Sequence, residues 1–144
     1  MSRAKPHSIE DYPHSLVIPT RWADNDVYGH INNSVYYFYF DTVVNRFLMD
    51  EGLLEIGKSE TVGLVVETGC SYFAPAEFPD DITAALRVRD IGNSSVTYEI
   101  ALFKNDETLA VAQGHFVHVY VDEKTRRPVK ISDELRDILT ETLG

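Results

Sequence analysis

The sequence predicts an α+β domain: an antiparallel sheet of about five strands wrapped around one long central helix. Three observations carry this. Residues 32–50 are helix-forming and apolar almost all round. Residues 61–121 alternate in the manner of strands, broken by short turns. The order is strand, long helix, four strands, short helix. A helix that apolar must be surrounded by protein, and a single curved sheet satisfies it. Five strands around one helix leave an exposed flank, so at least a dimer is expected.

Taken in order, residues 1–13 are polar, contain Pro6 and Pro13, and are expected to form a flexible arm before a single domain over residues 14–144. Ser15–Trp22 reads as a first strand, and Pro19 suggests an edge or bulge. Residues 24–32 are rich in Asp, Asn and Gly, which favour loops. The helix is expected to start near Asn32 or Asn33, both good N-caps, and to end at Glu51-Gly52. Tyr36, Phe40, Val43, Val44 and Phe47 share one helical face. Strands then follow at Thr61–Phe73, around Ile82–Arg89, around Val96–Leu102 and at Leu109–Val121, the last three forming two hairpins. Ser132 can cap a short terminal helix, with Asp133 and Glu134 at its positive end.

Composition narrows the function. The chain has 144 residues, 44% of them hydrophobic, and a formal net charge of −10. Such acidity argues against nucleic acid or an anionic membrane as partner. No apolar run reaches the roughly 18 residues of a membrane span, and no signal core is visible, so a soluble, cytoplasmic protein is expected. Cys70 is the single cysteine, which excludes an internal disulfide and a cysteine-built zinc site. The eight glycines fall in neither nucleotide fingerprint, and no G-x-S-x-G elbow is present. Asp24-Asn25-Asp26 begins like a calcium loop, but Tyr28 occupies the third ligand position and Val35 the twelfth.

What remains is a carboxylate beside a helix start. Free N–H groups there can hold a carbonyl oxygen and the oxyanion formed on attack. A nearby carboxylate can attack the carbonyl or deprotonate a water. Asp26 lies closer to the helix start than Asp24. The same residues also read as plain caps and turn formers.

The run Arg21-Trp22-Ala23-Asp24-Asn25-Asp26-Val27-Tyr28-Gly29-His30-Ile31-Asn32-Asn33, followed by Tyr36 and Phe40, resembles the signature of hotdog-fold acyl-CoA thioesterases of the 4-hydroxybenzoyl-CoA thioesterase-like branch. The element order, Tyr72-Phe73-Ala74-Pro75-Ala76 with Asp80-Asp81, and Arg126-Arg127-Pro128-Val129 extend the resemblance over nearly the whole chain from residue 15. It implies that Asp26 is catalytic, as nucleophile or general base, and that the backbone N–H near Asn33 polarises the thioester carbonyl. It implies no metal or organic cofactor, coenzyme A being part of the substrate. It places the site at the interface of a homodimer, with dimers pairing into a homotetramer. Many relatives have Ala-Gly-Ile/Val-Val-Tyr/Phe after the aspartate; the Gly-His-x-Asn-Asn form here is similar to that of relatives acting on aliphatic acyl groups, so a fatty acyl-CoA is favoured over an aromatic one.

Other residues carry two readings each. His30 can position a water or the carboxylate, or be a hydrogen-bonded loop histidine. Asn32 can orient Asp26 or a water, or cap the helix. Tyr28, Gly29 and Tyr36 can bind the acyl group, or the aromatics can belong to the core. Glu67 and Thr68 can reach a partner's site, or be exposed strand positions. Arg87 and Arg89, on one strand face, and Arg126 and Arg127 can meet the phosphates of coenzyme A, or be surface charge. Two rival functions remain: an enoyl-CoA hydratase or dehydratase of the same fold, whose D-x-N-P-x-His spacing is not met here, and a non-catalytic acyl-CoA binder.

Overall fold

A computed structural model describes residues 4–54 and 60–144. Five strands and two α-helices follow in the order β1 (His14–Pro19), α1 (Val35–Asp50), β2 (Thr61–Tyr72), β3 (Asp81–Ile91), β4 (Ser95–Lys104), β5 (Ala112–Asp122) and α2 (Asp133–Leu143). The strands form one sheet in the order β1-β3-β4-β5-β2, with every neighbouring pair antiparallel. The two predicted hairpins, β3–β4 and β4–β5, are present. β1 is an edge strand, which is where Pro19 is tolerated. It ends at Pro19, three residues short of the predicted Trp22, because Trp22–Asp24 turns into a short 3₁₀ helix.

α1 lies across one face of the sheet. Phe40, Val43, Val44 and Phe47 are fully buried there against Ile82, Leu86, Tyr98 and Ile100. Close seating requires Gly114 on β5: a Cβ at that position would strike the backbone carbonyl of Gly69 and the Phe40 ring. α2 closes the same core with Leu135, Leu139 and Leu143, and the Ser132 hydroxyl accepts the Leu135 N–H, as expected of a cap.

The other face of the sheet is covered in part by residues 5–12, the larger part of the expected arm. Tyr12 and Ile9 pack on Ala85, Ala101, Phe103 and Ala110. The His7 N–H donates to Gln113 Oε1 at 2.7 Å, and Gln113 Nε2 donates to the Lys5 carbonyl at 3.0 Å. These contacts explain why β3 and β4 carry apolar residues on both faces. Among the described residues, no helix is long and apolar enough to cross a membrane.

His118 on β5 points into the core between the rings of Tyr98, Phe116 and Tyr120 and is 2% exposed. Its Nδ1 has no hydrogen-bond partner among the described residues. Burial pushes its pKa down from 6.5 to about 4. The folded state therefore holds a neutral ring, and the unfolded chain takes up the proton first as pH falls. Stability from this residue is full above pH 6.5 and falls by about 1.4 kcal/mol per pH unit toward pH 4, about 3 kcal/mol in all. His118→Phe is expected to remove that part of the acid sensitivity. Urea unfolding at pH 7 and pH 4.5 checks it: equal losses in both proteins would refute the assignment.

Candidate active site

The polar stretch between β1 and α1 is a closed excursion with fixed feet. Its first foot is Asp24, whose side chain is 1% exposed. That carboxylate accepts from the Arg21 N–H at 2.9 Å, from the Arg21 guanidinium at 2.9 and 3.1 Å, and from the Tyr39 hydroxyl at 2.8 Å. Burial alone would raise its pKa. The Arg21 backbone N–H, the Tyr39 hydroxyl and the Arg21 side chain outweigh that and hold it below the usual carboxylate range. Because Tyr39 is on the second turn of α1, the bond ties the loop to the helix.

The second foot is Ile31, which is buried and donates its N–H to the Ala76 carbonyl at 2.8 Å. Asn25 and Ile31 form a β-bridge. Between them the Asp26 N–H donates to the His30 carbonyl at 2.8 Å, and the Gly29 N–H to the Asp26 carbonyl at 3.1 Å. Gly29 has φ +80°, a left-handed conformation in which a side chain is strained. The turn thus needs glycine for its backbone.

The two aspartates separate here. Asp26 is half-buried and lines an open pocket of about 750 Å³ with Asn25, Val27, Tyr28, Gly29 and Asn32, walled on one side by Trp22. Its Oδ1 accepts the Tyr28 N–H at 2.8 Å, and its Oδ2 has no hydrogen bond among the described residues. Asp24, by contrast, is enclosed.

α1 begins at Val35, two residues later than a cap at Asn32 and one later than a cap at Asn33 would place it, and Ser34 at its N-cap makes no side-chain cap bond. The capping is done by Asn32 from further back. Its Oδ1 accepts the Ser34 N–H at 3.0 Å and the Ser34 hydroxyl at 2.8 Å, and its carbonyl accepts the Val35 N–H at 2.9 Å. The Asn32 N–H itself goes to the Asp24 carbonyl at 2.9 Å. Among the described residues, that leaves the Asn33 N–H without a partner while its neighbours on both sides are committed. An unpaired N–H at the start of a 16-residue helix is a donor for a carbonyl oxygen or an oxyanion.

Residues 20–139 match the family described as the thioesterase-like superfamily. The chain belongs to that superfamily. Its fold is the hotdog fold. This thioesterase-like protein is 50% identical to the PA5185 protein from Pseudomonas aeruginosa, with a TM-score of 0.93 over 96% of this chain and 97% of that one. It is 25% identical over 127 residues to ATL3, an acyl-acyl carrier protein thioesterase of Arabidopsis thaliana, covering 85% of this chain and 65% of the relative. The DHNA-CoA thioesterase from Staphylococcus aureus shares the fold alone, with a TM-score of 0.76 and 18% identity over 85% of this chain and 83% of that one.

The remaining sequence-derived residues are dispersed over this thioesterase-like chain. The Tyr28 side chain is 83% exposed on the pocket rim. Tyr36 instead turns into the core, packing edge-on against Tyr39 and Tyr72, and burial raises its pKa. The His30 side chain lines a separate small recess with Pro75, Glu77, Asp80 and Lys104. Glu67 and Thr68 lie on the edge strand β2, where a bulge falls between Val65 and Glu67. Glu67 bonds His115 Nε2 at 3.0 Å, and the Thr68 hydroxyl donates to the His115 carbonyl at 2.8 Å.

Arg87 is committed elsewhere. It pairs with Glu99 at 3.2 Å, donates to the Asp11 carbonyl at 3.1 Å and lies 4.6 Å from the centre of the Tyr12 ring. The expected common face of Arg87 and Arg89 is interrupted, because the register shifts between Val88 and Asp90. Arg126 and Arg127 sit in the exposed turn after β5, Arg126 at φ +60°. β5 enters beside Tyr72 and leaves beside Thr61, so this turn is roughly 33 Å along the strand from the Asn33 end.

Sequence reasoning assigned no role to Trp22, Asn25 or Tyr39. Trp22 is 78% exposed and packs edge-on against Phe78 at 6.0 Å. Asn25 Oδ1 accepts the Phe78 N–H at 3.0 Å, fixing the pocket to the β2–β3 connection. Trp22 and Asn25 stand inside the motif itself, an available signal; Tyr39 was hidden among the helix aromatics.

Asp24→Ala leaves the Tyr39 hydroxyl buried without its acceptor and is expected to cost about 2–4 kcal/mol. Asp26→Ala is expected to cost less than about 1 kcal/mol. Urea denaturation of both variants checks the division of roles, and equal losses would contradict it.

Proposed function

We propose that this protein hydrolyses acyl-CoA thioesters to the free acid and coenzyme A. The observation that carries the reading is an Asp26 carboxylate open to a pocket, together with an Asn33 N–H at the following helix start that has no partner among the described residues. The thioester carbonyl oxygen accepts from the Asn33 N–H. Asp26 then follows one of two courses. As nucleophile, its oxygen bonds to the carbonyl carbon, the C–S bond breaks, the thiolate leaves, and water cleaves the resulting anhydride. As general base, it takes a proton from a water whose oxygen attacks the same carbon, and the thiolate leaves with a proton. In both, negative charge grows on the oxygen facing Asn33, where the donor and the helix dipole stabilise it. Neither course uses a metal or organic cofactor.

The pocket supports a neutral acyl group. Trp22, Val27 and Tyr28 give it apolar walls, and among the described residues no cationic side chain lines it. A second carboxylate brought beside Asp26 would be repelled without compensation. An aliphatic acyl chain fits these walls. The thioester class agrees with the named activities of ATL3 and the Staphylococcus aureus enzyme, which differ in carrier.

A homodimer belongs to the same proposal. β2 is an edge strand that exposes Leu64, Val65 and Val66. Unpaired apolar edges favour pairing with another strand. Antiparallel pairing of β2 with its copy sets one protomer's Thr61 end beside the other's Tyr72 end. The partner's Arg126 and Arg127 turn then approaches this site, where it can meet the phosphates of coenzyme A. Pairing of dimers into a tetramer is proposed on the family resemblance alone.

The test is thiol release from a panel of acyl-CoAs. Asp26→Asn is expected to lower kcat at least about a hundredfold. Butyryl-CoA is expected to exceed succinyl-CoA, of equal carbon count, by about tenfold in kcat/KM, given the uncompensated charge. Full activity of Asp26→Asn would refute the hydrolytic role, and hydration of crotonyl-CoA without thiol release would point to the hydratase chemistry instead.

A further inference from the structure

The Asn33 N–H can act as an oxyanion donor only if residue 33 is held still. The peptide before its Cα is fixed because the Asn32 carbonyl accepts the Val35 N–H at 2.9 Å. The peptide after it is held from a different element: the Tyr72 hydroxyl donates to the Asn33 carbonyl at 2.9 Å. Among the described residues this is the one hydrogen bond that Asn33 makes. Tyr72 closes β2, opposite Ala112 of β5, and its ring stacks edge-on against buried Tyr36 at 5.1 Å. The hydroxyl is thus carried on a braced ring at the end of a strand.

We infer that Tyr72 is a positioning residue for acyl transfer: its hydroxyl, acting through the Asn33 carbonyl, aims the Asn33 N–H at the oxygen that becomes charged. This rests on the hydrolytic reading above and adds a residue to it. Burial raises the Tyr72 pKa, so the hydroxyl remains a proton donor across the working range. The loop side fixes Asn32 through Asp24, and the sheet side fixes Asn33 through Tyr72. An N–H placed between two such anchors need not reorganise as charge develops. Loosening it weakens the transition state, in which the oxygen is negative, far more than the ground state, in which it is a neutral carbonyl.

Tyr72→Phe removes the hydroxyl and keeps the ring. The expected result is a kcat lower by about tenfold, below the loss for deleting a donor outright. KM is expected to stay within about twofold, since ground-state binding is spared. The melting temperature should remain close to that of the wild type. The assay uses the full chain, the most active acyl-CoA of the panel, and Asp26→Asn measured in parallel. An unchanged kcat overturns the inference, as does a change confined to KM. A loss of kcat that comes with a collapse of the melting temperature assigns the hydroxyl to the fold alone and also overturns it. An inactive Asp26→Asn beside a fully active Tyr72→Phe defeats the tyrosine's role only; an active Asp26→Asn defeats the hydrolytic reading itself.

Discussion

The arrangement of the site depends on one buried carboxylate. Asp24 is enclosed by the Trp22–Asp24 3₁₀ turn and α1, and its charge is tolerated there because Arg21 and Tyr39 supply donors to both oxygens. The Arg21 side chain is itself 73% exposed, so only one member of the ion pair loses its water. That asymmetry avoids much of the desolvation cost that makes fully buried pairs unprofitable. The Asp24 carbonyl takes the Asn32 N–H as well. One residue therefore joins the end of β1, the far end of the loop and the second turn of the helix.

The helix faces two conflicting demands. One side, which carries Tyr36, Tyr39, Phe40, Val43, Val44, Phe47 and Leu48, must be covered, while under the proposed function its N-terminus must remain open to a ligand. The sheet meets the first demand by close approach, with Gly114 giving way to the Phe40 ring. The second is met by carrying the capping function backwards. Asn32, three residues before the helix, takes the Ser34 and Val35 N–H groups, and among the described residues the donor between Asn32 and Ser34 has no partner. A conventional cap at Ser34 would serve other N–H groups of the first turn.

The fold was legible because its signals are local. Alternation gave β3, β4 and β5, and the apolar character of the helix implied the cover that its core face receives; the expected all-round enclosure is not met, since Phe38 and Met49 are 65% and 44% exposed. Long-range contacts were not legible. Tyr39 looks like any other aromatic of the helix until its hydroxyl is seen on Asp24. The polar stretch around Ile9 and Tyr12 carries too little apolar pattern to announce that it docks across the outer face of the sheet, and the same contacts draw Arg87 away from any ligand. Arg126 and Arg127 are near neighbours of the domain's end in sequence, yet the strand order puts them at the far end of β5. The bulge at Arg89 breaks a two-residue period that spacing alone extends unbroken. Asn33 was legible for a different reason: a donor at a helix start is a backbone property, and only its neighbours' commitments decide whether it is free.

Two aspartates two residues apart thus acquire opposite properties from their surroundings. Asp24 accepts on both oxygens from a backbone N–H, a guanidinium and a phenol, so its charge is stabilised and its lone pairs are spent. Such a carboxylate is a weak base and a poor nucleophile. Asp26 accepts one N–H on one oxygen among the described residues and lines an open pocket. Its lone pairs remain available to a carbon or a proton. Under the proposed function the two cannot exchange roles: engaging the Asp24 carboxylate in chemistry would take it from the Tyr39 hydroxyl and release the loop, whereas Asp26 holds neither foot. The proposed reactivity thus falls on the aspartate with the fewer bonds to the fold, and the bonds that anchor the loop fall two residues earlier.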